Sequence, residues 1–131
     1  MMLANTDVSR PTKSTDSVIL VVEDEPLIRR AAEAELVSMG YPTFVAANAS
    51  EALAILDANH DISLMVTDIS MPGIDGRELA RRAQARFPKL QVILATGLDP
   101  DPTQPCLLPI LSKPYSTEDL VQAINFALGR I

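Results

Sequence analysis

The stretch Val18-Ile19-Leu20-Val21-Val22-Glu23-Asp24-Glu25-Pro26 decides the architecture of this chain. Its first five residues are aliphatic, mostly β-branched and uninterrupted by a polar position. A strand with one wet face alternates apolar and polar residues, whereas a strand covered on both faces reads as a continuous apolar run. Strands of the second kind belong to parallel sheets held between layers of helix. The run stops in three acids and a proline. Proline suits the first turn of a helix, where its missing N–H is no loss. Leu27, Ile28, Ala31, Leu36 and Met39 then recur at helical spacing as far as Gly40, a good helix stop. The opening unit is a buried strand, an acidic turn and a helix.

Downstream the same unit recurs. Thr43-Phe44-Val45-Ala46 reads as a short strand, and Asn48-Ala49-Ser50-Glu51 leads into a short helix that ends near Ala58. Ile62-Ser63-Leu64-Met65-Val66-Thr67 is a strand that again ends in an acid, Asp68. The loop Ile69-Ser70-Met71-Pro72-Gly73-Ile74-Asp75-Gly76 follows, then a helix from about Gly76 to Arg86. Gln91-Val92-Ile93-Leu94-Ala95 is the fourth strand, ending at Thr96-Gly97, and a brief apolar segment spans 106–111. Ser116-Thr117-Glu118-Asp119 matches a capping box and opens a last helix carrying Leu120, Val121, Ile124, Ala127 and Leu128. Strands alternating with helices predict an α/β fold around a central parallel sheet. Residues 1–16 are polar, rich in Ser, Thr and Asp and broken by Pro11, and read as a disordered leader to one domain over 17–130.

Composition narrows the function classes. The 131 residues hold Lys+Arg 11 against Asp+Glu 17, a net charge of −6, which is poorly suited to nucleic acid or to an anionic membrane. Cys106 is the only cysteine and His60 the only histidine, so an internal disulfide, a zinc site and a Ser/His/Asp triad are all disfavoured. There is no apolar run of about eighteen residues to span a membrane, and the N-terminus lacks the pattern of a signal peptide, so the expected compartment is the cytoplasm. The unusual number is Pro 10, with Pro100, Pro102, Pro105, Pro109 and Pro114 crowded near the C-terminus.

In an open parallel sheet the site lies beyond the C-terminal ends of the strands. The chain places Glu23 and Asp24 after the first strand, Asp68 at the end of the third, Thr96 at the end of the fourth and Lys113 after the last. Taken singly, each is an ordinary polar residue at an exposed strand end. Together they are three carboxylates, a hydroxyl and an ammonium at one edge. Crowded carboxylates form a receptor for a hard cation, and an oxygen-only set suits magnesium, for which manganese could substitute. A carboxylate is already ionised at neutral pH and needs no base to attack phosphorus, while the ammonium and hydroxyl hold other oxygens of the transferring group. The product of such chemistry is an aspartyl phosphate.

These residues resemble the receiver domain of two-component response regulators. The likeness covers about residues 17–130 and is carried by Val21-Val22-Glu23-Asp24-Glu25-Pro26, Glu51-Ala52-Leu53, Thr67-Asp68-Ile69-Ser70-Met71-Pro72-Gly73-Ile74-Asp75-Gly76, Thr96-Gly97 and Leu111-Ser112-Lys113-Pro114-Tyr115. The resemblance implies a doubly wound, flavodoxin-like, five-stranded parallel sheet of order 2-1-3-4-5. It implies that Asp68 accepts a phosphoryl group from a histidine kinase or a phosphotransfer protein. Asp24, Asp68 and the backbone carbonyl of Ser70 would bind magnesium directly, with Glu23 acting through water. Thr96 and Lys113 would hold the phosphoryl oxygens, and the Lys113–Pro114 bond would be cis. Such proteins are switches rather than enzymes, apart from slow self-phosphorylation by small donors and self-dephosphorylation. Their output goes to a downstream protein, unknown here, rather than to DNA bound directly. Kinase partners dock at the first helix in this family, where Leu27, Ile28 and Ala31 stand; a core role is the expectation for at least some of these three.

Two departures accompany the likeness. The seventeen residues from Thr96 to Lys113 are fewer than the family's usual interval, and Pro100, Pro102 and Pro105 fall where the helix between the fourth and fifth strands belongs. Proline at that density cannot occupy a helix interior, so this fourth helix is expected to be absent or shortened. Stand-alone receivers named for a Phe-Ala-Thr-Gly motif share this trait, and Leu94-Ala95-Thr96-Gly97 keeps the last three residues of that motif. The second departure is Ile110, which occupies the family's switch-aromatic position, while Tyr115 matches a different and commonly aromatic one. Either the switch operates through the reshaped loop or phosphorylation is transmitted weakly. Ser70 and Leu98 flank the path of attacking water in the family and would tune phosphoryl lifetime. The basic stretch Arg77, Arg81, Arg82, Arg86 and Lys89 is a solvated face or a docking patch. Two other readings are a pseudo-receiver that binds partners without phosphorylation, and a haloacid-dehalogenase-type phosphatase. The latter class needs a second Asp where Ser70 stands.

Overall fold

The computed structural model describes residues 17–97 and 108–129. Five strands, β1 (Val18–Val22), β2 (Thr43–Ala46), β3 (Ile62–Asp68), β4 (Gln91–Thr96) and β5 (Ile110–Ser112), form one parallel sheet of order β2-β1-β3-β4-β5. Four helices accompany them: α1 (Pro26–Ser38), α2 (Ala49–Ala58), α3 (Gly76–Arg86) and α4 (Thr117–Ala127). The order and the covering helices are those the sequence implied. The proposed leader, Leu98 and the expected loss of the helix between β4 and β5 all fall largely or wholly on residues 1–16 and 98–107, outside the described residues.

The continuous apolar strands are buried because the sheet has a separate core on each face. Leu20, Val22, Met65, Val92 and Leu94 face one way and pack with Ala52, Leu56, Leu79 and Ala83 of α2 and α3. Ile19, Val21, Leu64, Val66 and Ile93 face the other way, against Ala32 and Leu36 of α1 and Leu120 and Ile124 of α4. Each strand thus sends alternate residues into different layers, as a pleated backbone requires.

Local signals set the helix ends. Asn48 accepts the Glu51 amide at 2.8 Å and caps α2, while Asp75 accepts the Glu78 amide at 3.0 Å and caps α3. The Ser116–Asp119 capping box is present at α4, with both reciprocal bonds made. Gly40, just past α1, has a φ of 95°, which an L side chain disfavours.

One expectation needs correction. Helical spacing on α1 and the bias toward a core role suggested burial for some of Leu27, Ile28 and Ala31, yet all three are exposed, Leu27 to 75%. The reason is position along the helix. α1 starts beyond the end of β1, so its first turns overhang the sheet edge, and burial begins at Ala32 and Leu36. Val121 is likewise exposed on α4, where Leu120 and Ile124 supply the buried face.

α3 approaches β3 so closely that only glycine fits at its first position. A Cβ on Gly76 would lie 2.2 Å from the carbonyl oxygen of Asp68 and 2.9 Å from the Ile69 Cα, both backbone atoms. Gly76→Ala is therefore expected to destabilise the fold by about 1–3 kcal/mol, the usual cost of overpacking, despite alanine's better helix propensity. Denaturant unfolding of the two proteins measures this directly; equal midpoints would contradict the close approach.

Candidate functional site

The parallel pairing of β1 with β3 sets Val22 opposite Thr67, so the residues that follow, Glu23 and Asp68, leave the sheet together. Asp68 in turn aligns with Ala95 of β4, one residue before Thr96. Carboxylate oxygens of Glu23, Asp24 and Asp68 all lie within 4.8 Å of one another. Glu23 and Thr96 are each 5% exposed and Asp68 9%, while Asp24 is exposed. The sheet register brings Lys113 to the same edge. β4 and β5 pair up to Thr96 and Ser112, and the Lys113 amide then donates to the Thr96 carbonyl at 2.7 Å. The peptide bond from Lys113 to Pro114 is cis.

The ammonium of Lys113 is the counter-charge to this acidic group. Its Nζ donates to Glu23 Oε1 at 2.7 Å and stands 3.5 Å from Asp68 Oδ2. From the sequence, Lys113 is expected to hold phosphoryl oxygens; in the unmodified protein its nearer partner is Glu23. The second oxygen of Glu23, Oε2, accepts the Glu25 amide at 3.1 Å. Both Glu23 oxygens are thus engaged, whereas Asp24 faces solvent.

Burial, the largest influence on Asp68, raises its pKa above the ordinary carboxylate value, and Glu23 and Asp24 push the same way against the pull of Lys113. Burial works to lower the pKa of Lys113, but its hydrogen bond to Glu23 and the charges of Asp68 and Glu23 outweigh it and the value is raised. The site therefore holds a firmly protonated lysine beside crowded carboxylates that lack full compensation.

The main chain around Asp68 is fixed on several sides. Thr67 Oγ1 donates to the Asp68 carbonyl at 3.1 Å, the Ile69 amide donates to Ala95, and the Gly76 amide donates to the Ile69 carbonyl at 2.8 Å. Met71 is buried below the loop, whereas Ser70 is exposed, two residues beyond Asp68. Ile110 is half-buried on β5 opposite Leu94. Tyr115 is half-buried on the α1–α4 side, where burial raises the pKa of its phenol. The basic residues of α3 do not converge here. Arg81 and Arg82 are tied to Glu78, and Arg86 to Asp57 at 2.5 Å. The two arginines hold the Glu78 carboxyl down at about 2.

Residues that the sequence did not single out also shape the site. Arg29 donates from Nη1 to the Glu23 carbonyl at 2.8 Å, and Gly76 admits the Asp68 carbonyl. Neither role shows in residue type alone, because each is defined by where a nearby main-chain carbonyl lies, Glu23 for Arg29 and Asp68 for Gly76.

Comparison with known proteins places these features. The response regulator receiver domain family matches residues 19–125. The response regulator receiver protein CpdR of Brucella abortus is 39% identical over 112 residues, which span 82% of this chain and 92% of CpdR. The sensor histidine kinase RcsC of Escherichia coli is 33% identical over 121 residues, 88% of this chain but 13% of RcsC. Among solved structures, the receiver domain of the hybrid histidine kinase CckA superposes with a TM-score of 0.75 at 32% identity, covering 86% of this chain and 99% of that one. The response regulator TrrA of Thermotoga maritima, solved in complex with Mg2+-BeF, gives a TM-score of 0.76 at 29% identity and covers 85% and 98%. With the matched span, the strand order and the acidic edge in agreement, the chain belongs to the response regulator receiver domain family.

Proposed function

We propose that this protein is a magnesium-dependent signalling receiver that takes a phosphoryl group onto Asp68 from a histidine kinase or a phosphotransfer protein and reports it through protein contacts. The observation that carries the reading is the convergence of Glu23, Asp24 and Asp68 within 4.8 Å, with Lys113 at 3.5 Å from Asp68. A family member of this kind is a regulator and not a conventional enzyme. That a histidine kinase is among the relatives supports the choice of donor.

In the proposed transfer, an Asp68 carboxylate oxygen bonds to phosphorus as the donor bond breaks. With a phosphohistidine the P–N bond breaks and its electron pair stays on the imidazole, which then takes a proton. With acetyl phosphate the P–O bond breaks and acetate leaves. Asp68 is anchored by its neighbours' main-chain bonds, so the attacking oxygen is held in place before the donor arrives. Lys113, already 3.5 Å away, neutralises charge on the phosphoryl oxygens, and Thr96 lies at the adjacent strand end to hold another.

The donor set fits a hard divalent cation, being all oxygen, crowded and open to solvent at Asp24. Asp24 and Asp68 would hold magnesium with the Ser70 carbonyl. Glu23, whose two oxygens already serve Lys113 and the Glu25 amide, would act through water. When bound, the ion supplies charge neutralisation for the transferring group. Ser70, Leu98, Ile110 and Tyr115 are proposed to tune the lifetime and readout of the modified state.

Intact-mass measurement after incubation with acetyl phosphate and Mg2+ tests this reading. The wild type is expected to gain one phosphoryl group and Asp68→Asn none. A folded, Mg2+-binding wild type that gains nothing would leave a pure interaction module as the better description. The electrostatics give a second test. A carboxyl whose folded-state pKa is raised contributes most below the unfolded value and loses that contribution as pH rises through the folded one, so at neutral pH the Asp68 charge opposes folding. Without divalent cations, Asp68→Asn should melt at a higher temperature than the wild type. Added Mg2+ should raise the wild-type Tm more than that of the variant, as calorimetry can show.

A further inference from the structure

The start of α1 has the proline of an ordinary helix start, Pro26, but lacks its other features. Its N-cap, Glu25, makes no side-chain cap bond, and the first turn holds no acid. Instead two cations, Arg29 and Arg30, follow within the next turn. A helix start carries partial positive charge and favours anions, so cations are misplaced there. Local rules broken in this way mark places where another requirement dominates.

The requirement is visible in the contacts of Arg29. Its side chain turns back over the acidic turn, and Nη1 donates to the Glu23 carbonyl at 2.8 Å and reaches the Asp24 carbonyl at 3.5 Å. One guanidinium thereby spans two successive main-chain oxygens. The carboxylates of Glu23, Asp24 and Asp68 repel one another at their short separations. Glu23 is held by Lys113 and the Glu25 amide, but Asp24 is exposed, and a slack turn would relieve the repulsion by swinging it outward. A clamp on the Glu23 and Asp24 carbonyls opposes that swing.

We propose that Arg29 is a positioning residue that holds the 23–24 turn so that Asp24 stays beside Asp68, and that it thereby sets the divalent-cation affinity of the edge. Its bonds run to main-chain oxygens, so it acts through the acids and not on the transferring group. Arg29 in this role serves the cation site proposed above and rests on that reading.

Arg29→Ala and Arg29→Lys, compared with wild type, provide the test. In calorimetric titration with MgCl2 and no phosphoryl donor, Arg29→Ala should bind about tenfold more weakly, the lower end of what losing a supporting contact costs a metal site. Arg29→Lys should fall between, because lysine keeps a cationic donor but on a side chain one atom shorter than the reach of Nη1. At saturating Mg2+ the rate of phosphorylation by acetyl phosphate should return to the wild-type value. In metal-free protein, Arg29→Ala should speed hydrogen exchange at the Glu25 amide and leave the amides of Val21 and Leu36 protected. Wild-type Mg2+ affinity in Arg29→Ala, a rate that stays low at saturation, or an even loss of protection across the core would each overturn the role. A wild type that binds no Mg2+ overturns the cation reading instead. The metal-free exchange pattern tells the two failures apart, because it reads the turn directly.

Discussion

The parallel pairing of β1 with β3, with Val22 opposite Thr67, is the constraint on which the site depends. It forces the acids that end each strand into one small volume, although nothing local to either segment favours such a meeting. Apolar burial supplies the driving force, at about 25 cal/mol for each Å² removed from water, because the strands that bear the acids are deeply buried. Ile19, Leu20, Leu64 and Met65 are wholly inaccessible. The sheet thus holds charges together that would separate in a free chain. A divalent cation at this edge would relieve that repulsion.

Lys113 governs how much repulsion is left. It comes from the far edge of the sheet, ninety residues from Glu23, and its ion pair is largely shielded from solvent. A shielded pair is expensive to leave half-made, so neither partner is free to wander. The arginines of α3 behave differently. Arg81 and Arg82 share Glu78 in the open, where solvent screening makes such bridges weak. Glu78 offsets part of the positive charge on that helix face.

Much of this was legible in the sequence, and the exceptions have physical reasons. Continuous apolar runs identified strands covered on both faces, and Ser116 and Gly40 marked the helix ends they occupy, while the caps Asn48 and Asp75 emerged only in the structure. The acids at the ends of β1 and β3 were visible because a parallel sheet collects strand ends at one edge. Periodicity could not show that α1 overhangs the sheet, since spacing reports which face is apolar and not whether anything lies beneath it. The nearer partner of Lys113 also escaped, because a choice between two carboxylates a few ångströms apart is made by register. The roles of Arg29 and Gly76 carried no sequence signal, because they depend on where the backbone oxygens beside them lie.

The two cores share no member, one packing α2 and α3 and the other α1 and α4 on opposite faces of a single sheet. Energetic coupling between residues decays when they share no neighbours. Mutational effects should therefore sort by layer: substitutions such as Leu56 with Leu79 interact, whereas Leu56 with Ile124 simply add. The sheet acts as a partition between two separately packed halves, with the acidic edge at its rim.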